Sequence, residues 1–140
     1  MPRHDDVVGI PNHSVLIRAV QPDWLEVENG SERLRSSTYL DGQQEASCFI
    51  SAEVGDLEGF RANILPMLAR ELGMQIAAIA TIPVAEVRAE GLWVYRKPEE
   101  FHNNPAHVVV CPPDGITKSQ YAKRAKRLAP LAAKHPVLET

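Results

Sequence analysis

Residues 101–113 read FHNNPAHVVVCPP, a polar turn that leads into a short run of β-branched residues. Residues 108–111 are apolar throughout, without the alternation of a half-exposed strand, and they are too few for a buried helix. Such a run is typical of a strand that is buried on both faces. Pro112 and Pro113 follow and end it. We therefore expect a central strand here, with His107 at its entrance.

The sequence on both sides of this strand predicts further short strands separated by turns. Apolar, strand-like runs cover residues 14–20, 46–51 and 92–96, and the more polar residues 33–40 are also expected to be extended. Residues 75–81 fit either a strand or a continued helix, and the bracketing Gly73 and Pro83 favour the strand. Asn29-Gly30 is a strong turn signal because both residues tolerate positive φ.

Three segments predict helices. Across residues 56–72, apolar side chains recur at steps of three and four, which places them on one helical face. Pro66 interrupts this stripe, so the pattern leaves open one kinked helix or two helices, the first ending near Asn63. Residues 83–90 predict a short helix, and residues 118 to about 134 predict a longer, basic one that Pro130 bends or ends.

Strands and helices in mixed order predict an α+β fold. We expect a single domain of about five mostly antiparallel strands with three or four helices, the last one basic and C-terminal. At 140 residues and 44% hydrophobic content, the chain can close one core without disulfides or metals. The predicted organisation is a flexible N-terminal arm (residues 1–13), an α+β core (residues 14–116), and a basic C-terminal helix and tail (residues 117–140).

The composition favours a cytoplasmic protein with no membrane contact. No apolar segment approaches the roughly 20 residues that cross a bilayer, and residues 1–6 lack the apolar run of a signal peptide. Cys48 and Cys111 each lie in an apolar run, where a thiol behaves as a small buried hydrophobe.

Charge is distributed unevenly along the chain. Residues 1–117 hold 9 Lys/Arg against 17 Asp/Glu, whereas residues 118–140 hold 6 against 1. A basic block of this kind can dock on an acidic surface or on nucleic acid. The partner-binding candidates on the predicted helix, which Thr117 can cap, are Lys123, Arg124, Lys126 and Arg127. Because Tyr121 is the only aromatic residue near them, non-specific phosphate contact is the most that the pattern supports for nucleic acid, and a protein partner or a homo-oligomer is favoured.

Arg18 is the first candidate for a ligand-binding cleft. A guanidinium inside an apolar strand needs an anionic or carbonyl partner, which is either a ligand phosphate or another part of the chain. A second set of candidates comprises Ser36, Ser37, Thr38 and Tyr39. Their hydroxyl groups suit a sugar or a ribose, or alternatively they are the polar groups of an ordinary half-exposed strand.

His107, preceded by Asn104, is the third candidate. A histidine that leads into a buried strand suits a general base or a substrate hydrogen-bond donor. Alternatively, one ring N–H donates to a neighbouring carbonyl and holds the loop in place. Both interpretations stay open.

Several classes of site are excluded. The chain contains no Gly-rich phosphate loop, no Gly-x-Ser-x-Gly motif and no Cys-x-x-Cys. The spacing of His102 and His107 matches no zinc pattern, and no metal or cofactor is expected from the residues themselves.

Glu86 and Glu90 lie four apart on one predicted helix, where paired carboxylates either perform acid–base chemistry or are simply solvated.

Three stretches together resemble a group of short bacterial proteins without an assigned activity. The stretches are LIRAV at residues 16–20, LRSSTY at residues 34–39 and NPAHVV at residues 104–109. The shared features are an arginine-bearing first strand, a Ser-Ser-x-aromatic segment and an Asn-Pro-Ala-His strand. The resemblance covers about residues 10–111 and implies a family but no activity.

The chain is also similar, over fewer residues, to the ADP-ribosyltransferase superfamily. In that superfamily a first-strand arginine, a Ser-Thr-Ser-like second strand and a later strand glutamate hold NAD and activate its ribose. Arg18 and Ser37-Thr38 fit the first two places. Glu86 and Glu90 depart from the pattern because they fall in a predicted helix. This resemblance implies NAD as the ligand.

These observations predict a small bacterial cytoplasmic protein that binds a ligand or a protein partner through a polar cleft formed by Arg18, Ser37, Tyr39 and His107. Two alternatives stay open. One is an NAD-consuming, ADP-ribosyltransferase-like enzyme or toxin that uses the same cleft. The other is an accessory or antitoxin-like partner that docks through the basic C-terminal helix. The sequence does not decide between an enzyme and a binding protein.

Overall fold

A computed structural model describes residues 4–40 and 45–138 of the chain. Its strands are β1 (Val15–Val20), β2 (Leu25–Glu28), β3 (Ser31–Leu34), β4 (Ala46–Ile50), β5 (Ala78–Pro83), β6 (Trp93–Arg96), β7 (His107–Cys111) and β8 (Ala133–His135). Its α-helices are α1 (Ser51–Val54), α2 (Asp56–Gly59), α3 (Leu65–Leu72), α4 (Val84–Ala89) and α5 (Lys118–Lys126), and a π-helical turn (Phe60–Ile64) joins α2 to α3. Helices and strands in one domain confirm the predicted α+β class, with eight strands in the described residues where the sequence predicts about five.

Six of the strands form one antiparallel sheet in the order β6-β7-β4-β1-β5-β8. Strand β7 pairs with β6 on one side and β4 on the other, and all of its residues are buried. The buried strand predicted at residues 108–111 is therefore confirmed, and β4 and β1 occupy the middle of the sheet. Strands β2 and β3 form a separate hairpin, which turns at Asn29-Gly30 with φ of 54° and 80°, as predicted.

The two faces of the sheet are covered by different helices. One face, which carries Leu16 of β1, packs against α4, α5 and the turn at Ser36–Tyr39. The other face, which carries Ile17, packs against the π-helical turn and α3. Because successive strand residues point to opposite faces, Ile17 shares its face with Phe49 and His107, which lie opposite one another in the β4–β7 register.

The helical segment at residues 56–72 resolves the two alternatives that Pro66 leaves open. The chain stays helical through the wide turn at Phe60–Ile64, and Pro66 then lies in the first turn of α3, where its missing N–H costs nothing. Gly73 ends α3 in the left-handed conformation, with φ of 61°. No helix in the described part of the chain is long and apolar enough to cross a bilayer.

The C-terminal helix is shorter than the sequence predicts. Thr117 caps α5 as expected, since its Oγ1 accepts a hydrogen bond from the Gln120 amide and the Gln120 side chain accepts one from the Thr117 amide. The helix ends at Lys126, however, and residues 133–135 form β8 against β5. Of the two effects predicted for Pro130, a bend or an end, the structure shows an end, because Pro130 cannot continue the helix. Helix up to about residue 134 is therefore not formed, and the tail pairs with the open edge of β5.

The extended conformation predicted for residues 33–40 was also wrong beyond Leu34. Residues Ser36–Tyr39 form a 3₁₀ turn, in which the Thr38 hydroxyl and the Thr38 amide both donate to the Arg35 carbonyl, at 2.7 and 3.0 Å. Serine and threonine side chains compete in this way with ladder hydrogen bonds, so a hydroxyl-rich segment folds locally.

The N-terminal residues, expected to form a loose arm, lie against the edge of β6. The Asp6 amide donates to the Val94 carbonyl at 2.9 Å, and the Asp5 carboxylate accepts from the Val94 amide at 3.1 Å. Ile10 is completely buried in the core. Residues 4–13 thus cover an edge strand whose backbone groups would otherwise be unpaired.

The two cysteines are buried, as predicted. Cys48 lies in β4 and Cys111 in β7. Burial raises the pKa of the Cys48 thiol to about 11, although the nearby Arg18 charge acts in the opposite direction. A thiol held neutral in this way is unreactive at physiological pH.

Candidate functional site

A cavity of about 230 Å³ lies beside the sheet where β1, β4 and β7 meet the end of α3. Arg18 and His107 both line it. The remaining wall is mostly apolar and aromatic, and its main contributors are Trp24, Phe49, Leu68, Met74 and Phe101. Two of the predicted ligand-binding residues therefore share one small, largely apolar cavity.

Arg18 is held at the place where the β1–β4 ladder opens. The ladder extends only over Leu16–Ile50 and Ile17–Phe49. Beyond it, Arg18 Nη1 donates to the Ser47 carbonyl at 2.7 Å, and Nε donates to the Thr38 carbonyl at 2.8 Å. The guanidinium also lies over the Trp24 ring, 4.5 Å from the ring centre. Backbone carbonyls and an aromatic face thus orient the charge.

The charge of Arg18 has no carboxylate partner within ion-pair distance in the residues that the structure describes. The residue is nevertheless only 5% exposed. A guanidinium has five N–H donors; two are used in the carbonyl bonds, and the other three have no partner in the described residues. Because burying an unmatched charge is costly, this arrangement favours an oxyanion in the cavity, which a guanidinium binds through paired N–H donors.

His107 is fixed in both position and tautomer. Its Nδ1–H donates to the Lys97 carbonyl at 2.7 Å, which is the loop-holding bond that the sequence analysis gave as one alternative. The ring packs edge-on against Phe49, with centroids 5.2 Å apart, and stacks with Phe101 at 6.1 Å. Because Phe49 lies directly opposite His107 in the β4–β7 register, the sheet itself positions the imidazole in the cavity wall.

Asn104 contributes by shaping the turn before His107. Its side-chain oxygen accepts a hydrogen bond from the Ala106 amide at 2.9 Å, and its carbonyl accepts from the His107 amide at 3.1 Å. An asparagine side chain commonly caps a turn in this way. Asn104 therefore positions His107 and does not line the cavity.

The loop that carries Phe101 is tied to α3. His102 Nε2 and Glu71 Oε2 lie 2.6 Å apart, which joins the loop to the last turn of the helix. His102 and Asn103 both have positive φ, at 52° and 53°, a conformation in which histidine and asparagine are enriched. This contact holds Phe101 against the cavity.

Lys97 anchors the same loop through acidic neighbours. Its Nζ contacts the carboxylates of Glu45 and Glu100. Burial lowers the pKa of Lys97, whereas the hydrogen bonds to Glu100 and Glu45 raise it, and the net shift is upward. Glu100 lines the cavity, but its carboxylate is engaged by Lys97.

The hydroxyl-bearing segment Ser36–Tyr39 does not line the cavity with its side chains, although the sequence predicted that it would. Thr38 reaches Arg18 through its backbone carbonyl, and its hydroxyl bonds within the turn. Ser36 lines a separate cavity of about 420 Å³ between the β2–β3 hairpin and the C-terminal segment, together with Lys126. Ser37 lines neither cavity.

Tyr39 is fully buried beneath the sheet, and its hydroxyl has no hydrogen-bond partner in the described residues. Burial raises the pKa of Tyr39, and the proximity of Cys48 adds to the shift while Arg18 opposes it. Tyr39 does not line the Arg18–His107 cavity. The structure thus brings together Arg18 and His107 and places the serine, threonine and tyrosine side chains elsewhere.

Trp24 and the two phenylalanines are the cavity residues that sequence reasoning missed. Trp24 lies one short turn after β1, the strand that carries Arg18. A tryptophan this close in sequence to an arginine in a strand indicates a stacking contact of the kind observed here. Phe49 and Phe101 carry no such local signal because only the pairing of β4 with β7 brings them to His107.

The basic helix contributes to the core as well as to the surface. Tyr121, Ala125 and Leu128 belong to the core cluster on the α4 side of the sheet. Arg124 Nη1 donates to the Gly91 carbonyl at 2.9 Å, and Arg127 lies 3.6 Å from the Glu90 carboxylate. Lys123 and Lys126 are exposed and form no ion pair with any described residue. Partner docking through this helix stays a prediction.

Metal binding has no geometric support in residues 4–40 and 45–138, where no three histidine, cysteine, aspartate or glutamate side chains come together as ligands. Comparison of the chain with protein-family models, curated proteins and solved structures gives no match. The resemblances to short bacterial proteins and to ADP-ribosyltransferases stay predictions. Function has to be inferred from the chemistry of the Arg18–His107 cavity itself.

Proposed function

We propose that this protein binds a small organic anion, a carboxylate or a phosphate, in the Arg18–His107 cavity. The observation that carries the proposal is the buried guanidinium of Arg18, which lines the cavity, keeps three N–H donors and has no carboxylate partner in the described residues. An anion in the cavity would match a charge that two carbonyls and the Trp24 ring only partly compensate.

The walls of the cavity support a ligand with an apolar or aromatic body. Phe49, Phe101 and Leu68 offer no charge and no strong hydrogen-bonding group to a ligand. The volume of about 230 Å³ lies below the roughly 300–1,000 Å³ of pockets that hold drug-sized ligands. These features together favour a compact organic acid.

An NAD-consuming enzyme is the weaker alternative. The cavity volume favours a ligand smaller than a dinucleotide. Glu86 lies on α4 and Glu90 directly follows it, and α4 packs against the face of the sheet opposite to Phe49. Glu100 is the one carboxylate in the wall formed by the described residues, and Lys97 engages it.

Thermal-shift titration with a small panel tests the proposal. The panel contains aryl and alkyl carboxylates, the matching phosphates, NAD and ADP-ribose, so that carboxylate, phosphate and dinucleotide ligands are distinguished. A ligand at 100 times its Kd adds about 2.7 kcal/mol of stability, which corresponds to a Tm increase of several degrees for a chain of this length. We expect this increase with at least one small anion.

Two arginine variants complete the test. Arg18→Met keeps the aliphatic bulk of the side chain and removes its charge, so the ligand-induced increase in Tm should disappear. Arg88→Met is the matched control, because Arg88 is also largely buried but is paired with Asp5 and does not line the cavity. An anion effect that persists in Arg18→Met, or the absence of any anion effect in the wild type, contradicts the proposal.

A further inference from the structure

We infer that the anion bound at Arg18 also carries a hydroxyl or N–H group, and that Nε2 of His107 accepts a hydrogen bond from it. The inference rests on the proposed function and narrows the ligand class to hydroxy- or amino-substituted organic acids. The geometry behind it is the fixed orientation of the His107 ring in the cavity wall.

The hydrogen bond at Nδ1 decides the chemical character of Nε2. The partner of Nδ1 is the Lys97 carbonyl, at 2.7 Å, and a carbonyl oxygen can only accept. Nδ1 must therefore carry the proton, and in the neutral imidazole Nε2 is left as an acceptor. The Nδ1 hydrogen bond, the edge-on contact with Phe49 and the stacking with Phe101 together define this ring orientation.

The acceptor at Nε2 has no donor within the described residues. No side chain or backbone N–H there bonds to it, and His107 as a whole residue is only 3% exposed. Gln21 and Ser47, the neutral polar residues of the cavity wall, do not bond to it either. Nε2 is not completely buried but open to the cavity, so a ligand that supplies a donor there gains a hydrogen bond that an analogue without the donor cannot form.

Arg18 and His107 thus make opposite demands on a ligand. Arg18 offers donors and a positive charge, whereas His107 offers a lone pair in a predominantly apolar wall. A ligand that satisfies both has an oxyanion at one end and a donor elsewhere on a compact body. In a site of this kind, loss of the ligand's donor lowers the affinity strongly. The loss is greater than the one that a small change in ligand size causes in a purely apolar pocket.

The test compares the affinities of paired acids. The two acids of a pair differ only in that one carries a hydroxyl group where the other carries a methyl group of nearly the same size. Suitable probes are 3- and 4-hydroxybenzoate with 3- and 4-methylbenzoate, and the corresponding phenylacetates; if the first screen favours phosphates, the equivalent aryl phosphates replace them. In the wild type we expect the hydroxy acid of one positional pair to bind about tenfold more tightly than its methyl partner. In His107→Phe the preference should reverse, because the hydroxyl then enters an apolar wall without an acceptor.

A measurement on the wild-type protein keeps the test decisive if His107→Phe does not fold. In ¹⁵N NMR of the imidazole nitrogens, the hydroxy acid should shift the Nε2 resonance of His107, whereas the methyl acid should leave it nearly unchanged. The Nδ1 resonance should keep the position typical of a protonated nitrogen in both complexes.

The possible outcomes separate the inference from the proposed function. Equal affinities within every pair, a preference for methyl, or a hydroxyl preference that survives in His107→Phe overturns the inference while Arg18-dependent binding stands. If no acid binds in an Arg18-dependent manner, the proposed function fails and the inference fails with it.

Discussion

Arg18 and Arg88 are both largely buried arginines, and they differ in how their charge is balanced. Each nitrogen of the Arg88 guanidinium donates to the N-terminal segment: Nε and Nη2 to the Asp5 carboxylate, Nη1 to the Asn12 side chain, and Nη2 also to the Asp6 carbonyl. Arg18 donates to two backbone carbonyls and meets no carboxylate in the described residues. Within the described residues the first arginine has a counter-charge and the second has none.

The difference separates a structural role from a binding role. The Arg88–Asp5 pair fixes the N-terminal residues over the edge of β6, where Asp5 also accepts from the Val94 amide. Arg18 is anchored in orientation by Thr38 and Ser47 and lines the cavity, and its other three donors have no partner in the described residues. The two sites are therefore distinguished by one property: the buried charge either has or lacks a counter-charge among the described residues.

The largest expected effect concerns Arg88. Arg88→Met should destabilise the protein by about 2–3 kcal/mol, because it leaves the mostly buried Asp5 carboxylate without its partner. Urea unfolding of Arg88→Met, Asp5→Asn and the double variant forms a cycle, in which we expect a coupling energy above about 1 kcal/mol. A coupling near zero would show that the pair is not what holds the N-terminal residues.

A carboxylate introduced beside Arg18 should give this arginine a counter-charge within the chain, as Asp5 does for Arg88. Gln21 lines the same cavity, so Gln21→Glu offers an internal counter-charge of nearly the same shape. We expect the free protein to gain about 1 kcal/mol and the affinity for the anion to fall about tenfold, a loss of about 1.4 kcal/mol in binding. Calorimetry and thermal unfolding measure the two effects. Gln75→Glu, an exposed change of the same charge, should produce neither.

Removal of Arg18 should cost the free protein less than removal of Arg88. Arg18→Met abolishes two hydrogen bonds to carbonyls but also an unmatched buried charge, and the two effects partly cancel, which leaves a loss of about 1 kcal/mol. Urea unfolding without ligand gives this value directly. A loss as large as that in Arg88→Met would mean that Arg18 is mainly a structural clamp.

The smallest effect is expected at Tyr39. Its hydroxyl is buried without a partner in the described residues, so Tyr39→Phe should leave the free energy of unfolding unchanged or raise it by about 0.5–1 kcal/mol. Because Tyr39 does not line the cavity, anion affinity should be the same as in the wild type. A clear loss of affinity in this variant would extend the binding site beneath the sheet.

Local sequence patterns predicted most of the regular structure. The buried strand β7, the Asn29-Gly30 turn, the Thr117 cap and the Gly73 helix end all follow from preferences that act within a few residues. Errors arose where two local preferences competed. At Ser36–Tyr39 the hydroxyl groups bond within the turn, so an apparently extended segment coils.

Non-local pairing explains the other differences. Strand β8 is only three residues long and carries no strand signal of its own; it exists because β5 offers an open edge. The N-terminal residues are held in the same way by Val94 and Arg88, whose positions in the fold no nearby residue encodes. These contacts join segments far apart in the chain, and local periodicity carries no information about them.

The sequence by itself determined that Arg18 would lie in an apolar strand and that His107 would stand at the entrance of a buried one. Tertiary structure alone decided that they would share a cavity. Strand β4 lies between β1 and β7, and its register places Phe49 opposite both Ile17 and His107. Arg18 follows Ile17 in β1 and therefore points to the opposite face from Phe49 and His107; it reaches the cavity where the β1–β4 ladder ends and its Nη1 donates to the Ser47 carbonyl. The site thus depends on the pairing of all three strands and on the point at which that ladder opens.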